Sequence, residues 1–272
     1  MSNRLEALTI IRHLKDVNNL GVHGTDSPLE PGQESTASEV GRKLYEEAKK
    51  DGFQGILFIS SPKTRAIETA NIMRKNISDI NVVFKTGLAV DPNIRELDQG
   101  KFRLPPDYIP GTYFMPLKKA WTAFWGETFT NHNPLYRFGS ANAEGQLKYP
   151  ELVDHFEHPG ECYKDQAIRL YSSVYEMGKS LDKFHRVKPV VIAHGAPLAI
   201  FRELEQIAKD VQNGVIDIPV GGLVQLSWDY FERRTQDQHP DYGQLSQISL
   251  SALYDPMILG ILKREIDYLR QL

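Results

Sequence analysis

The sequence predicts an α/β fold: a three-layer α/β/α arrangement with a mostly parallel central sheet, plus a lid-like insertion. Three observations carry that reading. Short apolar, β-branched runs recur at residues 7–11, 55–60 and 190–193, and read as buried strands. Between them lie longer stretches with apolar residues at helical spacing. Arg12-His13 and His194 stand just past two strand ends, and Arg65 opens the helix after a third. In parallel α/β sheets that edge, beyond the carboxyl ends of the strands, is where ligands bind.

The elements follow in order. Residues 7–11 form the first strand, and 16–34, rich in Asn, Gly, Asp, Ser and Pro, read as loop. A helix capped by Ser35 or Thr36 runs to Asp51, with Val40, Leu44 and Ala48 on one face, and Asp51-Gly52 stops it. Residues 55–60 are the second strand. Pro62 suits a first helical turn, and a helix extends to about Asn76. Val82-Val83-Phe84 is read as the third strand and 88–111 mostly as loop. Residues 116–129 suggest a helix with an aromatic face (Trp121, Phe124, Trp125), and 131–160 irregular structure. A long helix occupies 161–184, a strand 190–193, and a helix from Pro197 reaches about Val211. Residues 223–228 alternate after Gly221-Gly222 and read as a strand.

Residues 256–272 form a C-terminal helical extension, with Ile258, Leu262, Ile266 and Leu269 on one side. That stripe is most simply core packing, with a homodimer contact as the second reading. No repeat or low-complexity linker interrupts the chain. The expectation is one domain over 1–272, with the insertion at about 101–160 covering the site.

Composition bounds the function. The 272 residues are 41% hydrophobic and 25% charged, ordinary for a globular protein, with a net charge of −3. That balance gives no general attraction to nucleic acid or to an anionic membrane. No apolar run approaches the roughly 20 residues of a membrane span. The one cysteine, Cys162, cannot form an internal disulfide, and the polar N-terminus lacks a signal segment. A cytoplasmic protein is expected.

The residues at the sheet edge suggest anion chemistry. Arginine's planar fork matches phosphate oxygens, and helix N-termini add N–H groups and partial positive charge. A histidine in that field is expected to stay neutral, since nearby cations lower its pKa. A neutral imidazole can attack phosphorus. These residues therefore read as a phosphate pocket with a nucleophilic histidine. His155 and His158 have a spacing a metal could use, but nothing else joins them, so no metal site is expected.

Ile11-Arg12-His13 after a strand resembles the arginine-histidine signature of the histidine phosphatases, the phosphoglycerate mutase-like superfamily. Further matches come in order. Asn19 lies where that family has a phosphate-contacting asparagine. Residues 26–32, DSPLEPG, look like its D-x-P-L-x-x-G stretch. Residues 60–70, SSPKTRAIETA, are similar to its S-S-P-x-x-R-A-x-x-T-A motif. Residues 95–100, RELDQG, resemble its acid-carrying segment. Residues 159–162, PGEC, are similar to its G-E-S helix start, and 191–195, VIAHG, to its second-histidine strand. The matches span about residues 7–230.

The resemblance implies roles. His13 would become phosphohistidine. Arg12, Arg65 and His194 would hold the phosphoryl oxygens, Asn19 would add a hydrogen bond, and Glu96 would be the general acid, with Asp98 in the same loop as the alternative. It implies a phosphomonoesterase acting on a phosphorylated small molecule, with no cofactor. Two readings stand beside it: a phosphoglycerate mutase-type phosphotransferase, and a catalytically weak phosphate- or protein-binding member. The sequence departs from the family at Leu14, where glycine is usual, at Cys162, where serine is usual, and at Lys101-Phe102-Arg103 after Gly100. The lysine and double-arginine pattern associated with mutases is absent, which favours the phosphatase.

Overall fold

The structure, a computed structural model, describes residues 7–17, 26–96, 101–102, 156–158, 163–180, 186–234 and 241–271. The chain divides into two compact units, residues 1–17, 26–96 and 167–272 in one, 18–25 and 97–166 in the other.

The first unit is built on a five-stranded sheet in the order β3-β2-β6-β1-β7. Its strands are β1 (Ala7–Arg12), β2 (Gly55–Ser60), β3 (Lys85–Val90), β6 (Val187–Ala193) and β7 (Leu245–Ser249). Four run parallel, and β7 pairs antiparallel with β1 at one edge. Helices α1 (Gln33–Lys50) and α2 (Thr64–Ile80) pack together on one face. Their apolar stripes meet Ile11, Ile56, Phe58, Val190 and Ile192 of the sheet in one buried cluster. Side chains alternate along a strand, so the intervening Leu8, Ile10, Val191 and Ala193, also buried, serve the opposite face. There α4 (Gly195–Gln212) packs on β1 and β7, joined by α5 (Leu223–Arg234), α6 (Leu250–Leu253) and α7 (Pro256–Leu269). Helix α3 (Tyr163–Lys179) contributes the buried Leu170, Tyr171 and Val174. The predicted α/β class with a mostly parallel sheet is what the structure has.

In the second unit, β4 (Lys101–Phe102) pairs antiparallel with β5 (Phe156–His158). These two strands lie at the ends of the expected insertion. The aromatic helix expected at 116–129 and the segment between the strands lie outside the described residues.

Four local expectations are corrected. Helix α1 starts at Gln33, with Gly32 in the left-handed region at its N-cap (φ 89°), so Ser35 and Thr36 fall inside the first turn. Helix α2 runs a turn past Asn76. The third strand is not Val82-Val83-Phe84: Val82 and Val83 are 83% and 76% exposed. The Asn81 side chain accepts hydrogen bonds from the Val83 and Phe84 N–H groups, folding that run into a turn before β3 begins. Residues 223–228 form the start of α5 rather than a strand. Leu223, Val224 and Ser227 are buried, and the Glu265 carboxylate of α7 accepts from Gly221 N (2.8 Å) and Val224 N (3.2 Å). A buried carboxylate supplied from a distant helix takes one N–H in the first turn of α5 and one just before it, which no local spacing reveals.

The terminal stripe is core. Ile258, Leu262, Ile266 and Leu269 are all buried, and Asp255 caps α7 by accepting from Met257 N (2.8 Å). Among the described residues, no helix is long and apolar enough to cross a membrane.

Candidate active site

Three strand ends are stitched together at one edge of the sheet. Arg12 of β1 pairs with Ala193 of β6, and Ser60 of β2 pairs with Ile192. His13 N then donates to Ala193 O (3.0 Å), and Ser61 N to Ile192 O (2.9 Å). His13, Ser61 and His194, each one residue past a strand, leave the sheet side by side. The His13 and His194 ring centroids lie 4.8 Å apart.

His13 is 4% exposed, and its ring is held through both nitrogens. Nδ1–H donates to the Leu14 carbonyl (2.5 Å), which can only accept, so the proton sits on Nδ1. The lone pair is therefore on Nε2, where Arg65 Nε–H donates to it (3.1 Å). Burial chiefly, then Arg65 and Arg12, lowers the His13 pKa to about 3, against the bond to Leu14 O. The expected neutrality thus has desolvation as its larger cause and cationic neighbours as its second.

Arg65 lies in the first turn of α2, and its Nε is 3.5 Å from the Asp16 carboxylate. Ser27 donates to that same Asp16 oxygen (2.5 Å). The neighbouring Asp26 accepts from Thr64 N (2.6 Å) and Thr64 Oγ1 (2.8 Å). The 26–32 segment therefore fixes the start of α2 and the carboxylate beside Arg65. Asp26 occupies the Thr64 N–H, so that group at the start of α2 is already paired.

His194 is wholly buried at the N-cap of α4. Its Nε2 lies 2.7 Å from Ser61 Oγ, and its Nδ1 is 3.7 Å from the Glu96 carboxylate. Burial, then the charges of His13, Arg65, Lys63 and Arg12, holds its pKa well below the ordinary histidine value. Glu96 follows a short 3-10 turn, Pro92–Ile94, which is anchored to α3. Ser173 donates to the Asp91 carboxylate (2.6 Å), and Arg169 donates to Asn93 O (2.7 Å).

Leu14 makes the backbone contacts of the nucleophile turn. Its N–H donates to Thr69 Oγ1 (3.2 Å), and its carbonyl accepts from His13 Nδ1–H. Its side chain is fully buried in the cluster with Val40 and Leu44. The bulk that replaces the family's glycine goes into the core. Gly243 makes room for it: a Cβ there would lie 2.7 Å from Leu14 Cδ2.

The structure thus brings together His13, Arg65, His194 and Glu96, with Arg12 at the same strand end. Asn19 and Asp98 lie outside the described residues. Sequence reasoning singled out none of Asp16, Ser61, Thr69 and Tyr242. Ser61 and Thr69 stood within a quoted motif, and Asp16 stands three residues after His13. Tyr242, whose ring lies 3.9 Å from Arg12 Cζ and 5.5 Å from the His13 ring, had no local signal.

Residues 8–134 match the model of the histidine phosphatase superfamily, branch 1. No curated relative matches the chain. Among solved structures, a mycobacterial glucosyl-3-phosphoglycerate phosphatase is 16% identical, with 90% of each chain covered and a TM-score of 0.50. A protein described as mycobacterial hydrolase 2 is 18% identical, over 89% of this chain and 81% of that one, with a TM-score of 0.50. A phosphoglycerate mutase from Bacillus anthracis str. Sterne is 15% identical, over 97% and 100%, with a TM-score of 0.49. At these identities the likeness to the first two is one of fold. The matched family is the one the sequence resembles.

Proposed function

We propose that this chain, a member of the histidine phosphatase superfamily, hydrolyses phosphomonoesters of small molecules through a phosphohistidine on His13. The observation that carries the reading is the state of that ring: neutral, with its proton fixed on Nδ1 and its Nε2 lone pair facing Arg65.

The chemistry follows from the geometry. An incoming phosphoryl oxygen is a better acceptor for the Arg65 N–H than a neutral nitrogen, because the acceptor is charged. Arg65 turns its donor to the phosphoryl group, and the Nε2 lone pair is released at the moment the substrate is held. Nε2 attacks phosphorus, and the ester P–O bond breaks. The leaving oxygen takes a proton from Glu96. Water then loses a proton to the Glu96 carboxylate and attacks phosphorus, the P–N bond breaks, and inorganic phosphate departs. Arg12, Arg65 and His194 bear the charge on the phosphoryl oxygens, so positioning and electrostatics supply most of the rate.

Acid-stable, base-labile linkages belong to phosphoserine; phosphohistidine is the reverse, and this makes the test direct. Brief reaction with a labelled phosphomonoester, followed by denaturation in base, is expected to leave label on the wild type and none on His13→Ala. Label persisting in His13→Ala, or lost in base and kept in acid, contradicts the assignment. Isomerisation of a phosphoglycerate without net phosphate release would replace hydrolysis with transfer. With the charge met by Arg12 and Arg65, turnover is expected to survive chelation; activity lost to chelator and restored by a divalent ion would contradict this mechanism.

A further inference from the structure

Tyr242 belongs to none of the motifs above, yet it touches two of the residues at the nucleophile. Its ring lies 3.9 Å from Arg12 Cζ, within cation–π range, and meets the His13 ring edge-on at 5.5 Å and 62°. Its place is fixed by backbone. Gly243 N donates to Arg12 O (2.9 Å), and Gln244 N donates to Asp241 O (3.0 Å), closing a tight turn just before β7. Gly243 sits at φ 71° with Leu14 against it, so the turn admits glycine there and no larger residue without strain. The ring therefore lies against Arg12 and His13, and the turn that carries it is held by Arg12 O and packed at Gly243 against Leu14.

We propose that Tyr242 is a positioning residue for phosphate. Its aromatic face covers one side of the Arg12 guanidinium, a contact that uses none of the in-plane N–H donors and removes rotamer freedom that binding would otherwise have to quench. Arginine's flat, delocalised cation stacks in this way without giving up its in-plane donors, as a lysine could not. The proposal rests on the reading of Arg12 as a phosphate-holding group. It adds a residue from the far end of the chain, with the ring face rather than the hydroxyl as its working part.

The test compares the wild type with Tyr242→Phe and Tyr242→Leu. Leucine keeps apolar volume on a half-buried turn and removes the ring. The probes are inorganic phosphate by calorimetry and p-nitrophenyl phosphate by steady-state kinetics, with thermal unfolding as the control for folding. Tyr242→Leu is expected to weaken phosphate binding roughly tenfold and to raise KM about as much, with kcat changed less than about threefold. Tyr242→Phe is expected within about twofold of wild type on both, since the ring face is intact. Phosphate binding by the leucine variant equal to wild type overturns the proposal, as does a phenylalanine variant as impaired as leucine. A wild type that binds phosphate with this ranking of variants but releases none from any ester would sink the phosphatase reading and leave Tyr242 standing. Ester hydrolysis with all three proteins alike would do the opposite. A wild type that binds no phosphate overturns both.

Discussion

His13 is committed through both ring nitrogens, and the residue that follows it explains how a leucine can stand where the family has glycine. What the nucleophile needs from position 14 is a carbonyl for Nδ1–H and an N–H for Thr69, and any residue but proline supplies both. The side chain is then free to fill the core. Restoring glycine should therefore cost stability rather than chemistry. Leu14→Gly is expected to lower unfolding free energy by about 4 kcal/mol, the range of large-to-small core substitutions. Phosphate release per folded molecule should stay within about threefold of wild type, read by urea unfolding alongside turnover. Turnover lost ahead of stability would mean that Leu14 shapes the pocket after all. Glu96 calls for a different probe, because its role is a proton. A general acid matters in proportion to the basicity of the leaving group, so Glu96→Gln should slow an alkyl phosphate by roughly 10²–10⁴-fold and p-nitrophenyl phosphate far less. Equal slowing of both would make Glu96 a support for His194, 3.7 Å away, and would turn attention to Asp98.

At the scale of elements, the central strands were legible because burial on both faces writes itself as continuous apolar runs: β1, β2 and β6 were each found from composition alone. The edge strands were not. β3 (KTGLAV) and β7 (LSQIS) are partly exposed and carry too few apolar residues to announce themselves. Their pairing is determined by β2 and β1 rather than by their own pattern. The β-branched Val82-Val83 looked more like a strand than β3 does, and Asn81 overrode it. Residues 223–228 failed for a related reason, since a carboxylate forty residues on closes the helix that begins there. Glu265 is 1% exposed and serves Gly221 and Val224, so Glu265→Ala should remove about 3 kcal/mol of stability, by loss of two bonds to a charged acceptor. The site chemistry is carried by other elements, so turnover of the folded fraction should be unchanged. Urea unfolding that finds less than about 0.5 kcal/mol would show that solvent or another group caps α5 equally well. The site itself was legible where it follows strand ends and motif spacing, as for His13, Arg65 and His194. It was illegible where one residue closes on another across the fold, as Tyr242 does on Arg12.

For the whole molecule, two neutral histidines buried at one edge make stability depend on pH, and the direction can be worked out. An unfolded histidine titrates near 6.5, whereas His13 in the fold titrates at about 3, and His194 also lies well below its ordinary value. Above about pH 6.5 both states are neutral and the two groups cost nothing. As pH falls below that, the unfolded chain takes up protons that the folded one refuses, so stability declines through the window from about 6.5 down to about 3. Each group adds a slope approaching about 1.4 kcal/mol per pH unit within the window. Acidic carboxylates contribute their own losses toward the lower end, so the histidine share has to be isolated by difference. His13→Asn removes one titrating ring while keeping a polar side chain of similar reach. Urea unfolding of both proteins between pH 7 and 4.5 should show the wild type losing stability more steeply, its stability minus that of the variant falling by about 1.4 kcal/mol per pH unit below pH 6. Parallel curves would mean that His13 titrates alike in both states, and its neutrality in the fold would have to be given up. A difference that rises on acidification would mean that acid stabilises the native ring as imidazolium, which cannot attack phosphorus. In that case the mechanism would need another nucleophile. The same neutrality reaches activity: the acid limb of kcat/KM should not be set by a group near 6.5, because His13 keeps its lone pair at pH 5.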